Sequence, residues 1–123
     1  VFFLQTDKNK RALKQFLQTT FFITFPESYE RYHRNYTYTS DALETIMPAL
    51  VSFFHGKSFI DCLRNAVSFG GDTDTITTIT ASIAEAYYEN IPKHMIKKCQ
   101  TYLPQQFKNL LNEFCLFLEN KQP

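Results

Sequence analysis

Tryptophan is absent, and only three glycines occur among 123 residues. With five prolines beside them, collagen-like and linker-like classes fall away. Cysteine is scarce too: Cys62, Cys99 and Cys115 are odd in number, widely spaced, and form no CxxC pair. They therefore build neither a zinc site nor a closed disulfide framework. Charge of one sign is missing, since 13 Lys plus Arg stand against 12 Asp plus Glu for a net +1. No field steers such a chain onto nucleic acid or anionic lipid, so neither is expected as a partner. Nothing approaches the roughly 18 apolar residues of a membrane span. The opening Val1-Phe2-Phe3-Leu4 soon meets Asp7, Lys8, Lys10 and Arg11, and is too short for a signal segment. These absences lead to the expectation of a cytoplasmic protein with reduced, buried thiols.

What is present builds a core. At 44 % hydrophobic and 20 % charged, the chain is not disordered. Its length suits one domain over residues 1–123. Phenylalanine, at 13 residues, and tyrosine, at 7, supply all the aromatics.

Helical periodicity dominates. A first helix is expected from Asp7, with Leu13, Phe16 and Leu17 on one face. The β-branched and aromatic run Thr19 to Phe25 suits extended chain, and Pro26 closes it. Glu27 to Thr39 is polar and tyrosine-rich, a long loop or a short irregular helix. Ser40 or Asp41 caps the next helix, with Glu44 three residues beyond Asp41. Within it, Pro48 either kinks the helix or starts a new one. The apolar stretch Ala49 to Phe54 ends at Gly56, the expected left-handed cap.

Ser58 and Asp61 form an S-x-x-D capping box, opening a helix with Phe59, Cys62, Leu63, Ala66 and Val67 inward. Gly70-Gly71 stops it. A further helix places Ile76, Ile79, Ile83 and Tyr87 on one face. Ile91-Pro92 starts another, burying Met95, Ile96 and Cys99. After Pro104 the stripe Phe107, Leu110, Leu111, Phe114, Cys115 and Leu118 marks the last. The reading is all-α, a compact bundle of five to seven helices.

The sharpest local feature is Gly70-Gly71-Asp72-Thr73-Asp74-Thr75, between two expected helices. Two carboxylates one residue apart, with a hydroxyl, offer hard oxygen ligands in a short arc. The glycines let a ligand approach the backbone, and the following helix start adds partial positive charge. The plainer reading is a helix C-cap at Gly70 and an N-cap at Asp72 or Thr73. An EF-hand is excluded, because Ile76 holds the third carboxylate position. The stretch Tyr29 to Tyr38 reads as a solvated aromatic connection, although its residue types also suit stacking an adenine and gripping a pyrophosphate. His33, His55 and His94 fit no triad spacing. Lys93, Lys97 and Lys98 read as a solvated helix face.

Over a longer window, Ser58 through Ile76 resembles the C-terminal signature of the ADP-ribosylglycohydrolase family, which includes the dinitrogenase reductase-activating glycohydrolases. The similarity runs on through Ala81 to Tyr88 and Ile91-Pro92, and Thr45 to Leu50 resembles the family's preceding helix. The resemblance implies an all-α enzyme hydrolysing the glycosidic bond of ADP-ribose on a protein side chain, arginine first. It implies Asp72 and Asp74 as catalytic residues and Gly70, Gly71 and Thr73 as substrate-binding. Asp72, Asp74 and Thr75 would be metal ligands, for one Mg²⁺ ion or none. ADP-ribose and an ADP-ribosylated protein are the implied partners.

The chain departs from the family pattern in three places. Family members are typically more than twice as long. Their second ligand set comes from an N-terminal T-D-D-T motif, which corresponds best here to Thr6-Asp7-Lys8-Asn9, with Lys8 replacing an aspartate. Glu85 replaces a small residue on the helix after the motif, so that face is expected to be exposed. The start at Val1 rather than Met suggests trimming or processing, and an excised C-terminal piece of a longer protein is a further expectation. A non-catalytic remnant that binds ADP-ribose or a partner protein is the alternative to an enzyme.

Overall fold

The computed structural model of the chain describes residues 9–39 and 41–120. Every regular element among them is an α-helix, and no strand occurs among the described residues. The chain divides into two compact units, Val1–Asn90 and Ile91–Pro123.

In the first unit, α1 spans Lys10–Thr20, α2 Tyr29–Asn35, α3 Ala42–His55, α4 Phe59–Ser68 and α5 Thr73–Tyr88. The N-cap of α1 is Asn9, whose Oδ1 accepts the backbone N–H of Arg11 at 3.0 Å and of Ala12 at 3.2 Å. The expected start at Asp7, and the Thr6 to Lys8 part of the upstream motif, lie outside the described residues. Residues 21–28 are irregular rather than extended in a strand, and the tyrosine-rich stretch forms the short helix α2. Asp41 caps α3 by accepting the Glu44 N–H at 3.1 Å, while Ser40 is not among the described residues. Pro48 sits inside one continuous helix, fully buried.

The capping box of α4 closes in an offset form. Ser58 Oγ accepts the Asp61 N–H at 3.2 Å, and Asp61 answers to the Lys57 N–H at 2.9 Å.

Helices α3, α4 and α5 pack mutually and form the core. Ala49, Val51, Ala66, Phe69 and Ile76 make its central cluster, and Phe53 and Cys62 are fully buried beside it. The buried face of α5 is Ile76, Thr80 and Ala84, with Ile79, Ile83 and Tyr87 only half-buried at its flanks. Thr80 tolerates burial because its hydroxyl donates to Ile76 O at 2.7 Å and reaches Ala49 O at 3.3 Å. On α4, Phe59, Cys62 and Ala66 are inward as expected, whereas Val67 is 56 % exposed. Glu85 is exposed, as its charge requires.

One cation holds α1 to this core. Lys10 Nζ donates to Phe53 O and Gly56 O, each at 2.6 Å, and lies 3.1 Å from Tyr88 Oη. It also sits 4.4 Å from the Phe53 ring centroid. The two carbonyls belong to the C-terminal end of α3, where the helix dipole favours a positive charge. Burial pushes the Lys10 pKa below its ordinary value, and charge on Cys62 and Asp61 opposes that shift. Replacing Lys10 by methionine keeps the stem but removes the ammonium from both carbonyls, leaving Gly56 O with the Tyr88 hydroxyl and Phe53 O without its strong donor. We expect a loss of about 2 kcal/mol in urea unfolding. An unchanged midpoint would show that the ammonium adds nothing.

In the second unit, α6 spans Lys93–Tyr102 and α7 Gln105–Glu119. Lys93, Lys97 and Lys98 are solvated as expected. The apolar stripe of α7 is exposed, with Phe107 at 48 % and Phe114 at 56 %. Cys99 and Cys115 are exposed as well, so only Cys62 is a buried thiol. Ile96, expected inside, is 43 % exposed. Periodicity marks which side of a helix is apolar, and it does not say what covers that side. Among the described residues no helix is long and apolar enough to cross a membrane.

Candidate functional site

The motif lies where α4 hands over to α5. Phe69 closes α4, and the next two residues are both left-handed, Gly70 at φ 73° and Gly71 at φ 65°. Gly70 faces open space, whereas a Cβ on Gly71 would meet the Tyr38 ring at 2.9 Å. So of the two expected substrate-binding glycines, Gly70 is half-buried with room beside it, and Gly71 is exposed but has no room for a side chain next to the Tyr38 ring.

Asp72 follows at φ −78° and ψ 58°, with the Thr73 N–H donating to Gly71 O at 2.9 Å. This is an inverse γ-turn centred on Asp72. The residue occupies the N-cap position of α5, and its carbonyl accepts the Ile76 N–H at 3.0 Å. Its side chain makes no capping bond. The neighbouring Asp72 side chain is the leading cause that holds the Asp74 carboxyl below its ordinary pKa. Backbone N–H groups of Thr75 and of Asp74 itself add to that depression. Asp74 and Thr75 are exposed, and Asp72 and Thr73 half-buried.

The sign of the Asp74 shift fixes its pH behaviour. A carboxylate depressed in the fold favours the folded state above its unfolded pKa. That contribution disappears as pH falls through the lower folded value. In Asp72→Ala the leading cause is removed, so Asp74 should titrate closer to 3.8, the ordinary value. A side-chain carboxyl titration by NMR checks this, and an unmoved Asp74 would mean that backbone donors alone set its pKa.

The tyrosine-rich segment, expected first as a solvated connection, is packed against the motif. Rings from Tyr29, Tyr32 and Tyr36 meet Phe69 edge-on at 5.8, 5.8 and 5.2 Å, and the His33 ring lies 4.7 Å from it. His33 Nε2 reaches Ser68 O at 2.9 Å and Ser68 Oγ at 3.0 Å. A carbonyl only accepts, so Nε2 carries the proton and cannot act as a base toward the Ser68 hydroxyl, which itself donates to Asn65 O at 2.7 Å. The pair is a clasp, not a nucleophile and its base. The Tyr36 hydroxyl is buried without a hydrogen-bond partner. Burial raises its pKa, and the negative charge of Asp72 adds to the rise. His55 is stacked on Tyr29 at 4.2 Å, and His94 is exposed.

Thus Tyr36 and Tyr38, from a stretch whose composition alone placed nothing, lie against Phe69 and Gly71 of the motif. The signal available in sequence was their aromatic density. Its anchor in the fold is Phe69 at the end of α4. Among the described residues, no group of three or more His, Cys, Asp or Glu is arranged to hold a metal ion.

Comparison with known families rests on the whole chain rather than the motif. A family model described as ADP-ribosylglycohydrolase matches residues 5–122. The chain belongs to the ADP-ribosylglycohydrolase family. The match extends well beyond the stretch from Thr45 to Met95 that carries the visible resemblance, and the all-α architecture agrees with it. No curated protein and no solved structure gives a significant match.

Proposed function

We propose that this chain hydrolyses the glycosidic bond between ADP-ribose and a protein side chain, with arginine as the acceptor. The supporting observation is that Asp72 occupies a helix N-cap yet makes no side-chain capping bond, while it is the leading influence on the Asp74 carboxyl. A residue present only for capping would bond the N–H groups of the first turn.

Asp72 and Asp74, one residue apart at the start of one helix, act from one side of a bond. Glycosidases that protonate one face while attacking the other separate their carboxyls by roughly 5 Å or more. A one-sided pair suits a leaving group that needs no acid. The guanidinium of ADP-ribosylated arginine is already charged, so cleavage of its C–N bond releases neutral guanidine, which then takes a proton from solvent. In this reading Asp74, kept ionised, accepts the proton of the attacking water, and Asp72 orients Asp74 and passes the proton on. The exposed side of Gly70, together with Thr73, provides the approach for the ribose.

Asp72, Asp74 and Thr75 are hard oxygen donors suited to one Mg²⁺ completed by water, rather than to two ions. Such an ion would polarise the ribose hydroxyls and lower the pKa of bound water.

The test is ADP-ribose release from an arginine-modified protein by the full chain, with the Asp72→Ala/Asp74→Ala double variant as control. Equal release by the variant removes both residues from the mechanism. Calorimetry with ADP-ribose, with and without Mg²⁺, covers the other outcome: binding without release identifies a binding remnant.

A further inference from the structure

Tyr36 has a second side. Besides meeting Phe69 and feeling Asp72, its ring lines a cavity of about 250 Å³ together with Tyr32, Asn35, Glu44 and Met47. None of the residues lining that cavity is Lys, Arg or His. Of the cations on the adjoining helix, Arg31 lines a neighbouring cavity across Tyr32 and Asn35, and Arg34 Nε donates to Glu30 O at 3.4 Å. The cavity therefore combines two aromatic rings with one carboxylate and no balancing positive charge. The negative charge of Glu44 reaches both phenols, adding to the upward pKa shift that burial imposes on Tyr32 and Tyr36. At this volume it is smaller than the usual pocket for a whole nucleotide-sized ligand.

We propose that this cavity is a subsite for a guanidinium cation, with Glu44 as its counter-charge and the Tyr32 and Tyr36 rings as its walls. A planar, weakly hydrated cation stacks on aromatic faces and donates in-plane to a carboxylate. The charge of Asp72 reaches the Tyr36 phenol, and the Tyr36 ring meets Phe69 beside the motif, which links the cavity to the carboxylate pair. As the site of the arginine acceptor, the assignment rests on the hydrolase reading above.

The test separates the two. In the full chain, NMR titration with butylguanidinium should shift the Met47 methyl and the Tyr36 ring resonances saturably, whereas neutral butylurea should not. Glu44→Gln should weaken the guanidinium response about fivefold. That substitution leaves the Asp41 cap intact, since the cap uses the Glu44 backbone N–H. Tyr36→Phe keeps the ring wall and should leave binding unchanged, whereas Tyr36→Ala should weaken it. The phenylalanine variant should not reduce stability, because it removes a buried hydroxyl that has no partner. Equal shifts from butylurea, or an unchanged response in Glu44→Gln, overturn the subsite. In turnover, Glu44→Gln should raise KM for an arginine-linked substrate and leave kcat unchanged; an unaltered KM beside active release sinks the subsite alone. Guanidinium binding with no ADP-ribose release sinks the hydrolase reading and leaves the cation site standing.

Discussion

Replacing Gly56 by alanine is expected to destabilise the fold by about 3 kcal/mol or more, the upper end for overpacking a core. The new Cβ would collide with Cys62 Sγ and stand 2.8 Å from its backbone N and 2.9 Å from its Cα. A flexible side chain can swing away, but backbone at the start of α4 cannot move without shifting the helix. Gly56 O also accepts from Lys10 Nζ at 2.6 Å and from Tyr88 Oη at 2.9 Å, so displacing this residue loosens α1 and the end of α5 together. Urea unfolding followed by circular dichroism reads the loss. The double variant Gly56→Ala/Cys62→Ala removes the sulfur and leaves the backbone contacts. It should recover only part of the stability. Complete recovery would place the whole conflict on the thiol, and an unchanged midpoint in Gly56→Ala would show that the close approach is not needed.

Gly56 also shows what a sequence conceals. A glycine after an apolar helix suggests a left-handed cap, yet the positive-φ glycines are Gly70 and Gly71. Gly56 is required for proximity, and proximity between residues six apart is not visible in a string. The same holds on α5. Counting isoleucines selects Ile76, Ile79 and Ile83, whereas the buried line is Ile76, Thr80 and Ala84. Helices approach most closely over small residues, and a threonine that bonds backward to its own helix serves as one of them. The helices themselves were legible, because Ser58, Asp41, Pro48 and the apolar spacing act locally. The carboxylate motif was legible for the same reason. The ring cluster around Phe69 was not. It depends on α2 folding back onto the end of α4, a tertiary event that tyrosine content does not specify. Cys99 and Cys115 fail differently, since their stripes exist and carry no cover among the described residues of their own unit.

Removal of either carboxylate of the pair should lower kcat/KM for ADP-ribose release by about 10²–10⁴-fold, the usual range for a lost acid–base group. The more informative comparison is among variants. If Asp72 and Asp74 act as a unit, the double alanine variant should be about as slow as the worse single one rather than the product of both losses. Asp72→Asn then separates holding from proton transfer. An asparagine amide still donates a hydrogen bond to Asp74 and keeps that carboxylate depressed, but it cannot accept and return a proton. If Asp72 relays the proton, Asp72→Asn should lose kcat nearly as far as Asp72→Ala while KM stays near the parent value. If Asp72 only orients Asp74, Asp72→Asn should retain most activity and Asp72→Ala should not. Asp74 is exposed and Asp72 contributes no capping bond to α5, so the stability lost with either is confined to what the depressed Asp74 carboxylate adds, and the unfolding midpoint is read beside the rate. A fall in rate without a fall in unfolding midpoint therefore assigns the defect to chemistry, and a parallel fall in both returns the pair to a structural role.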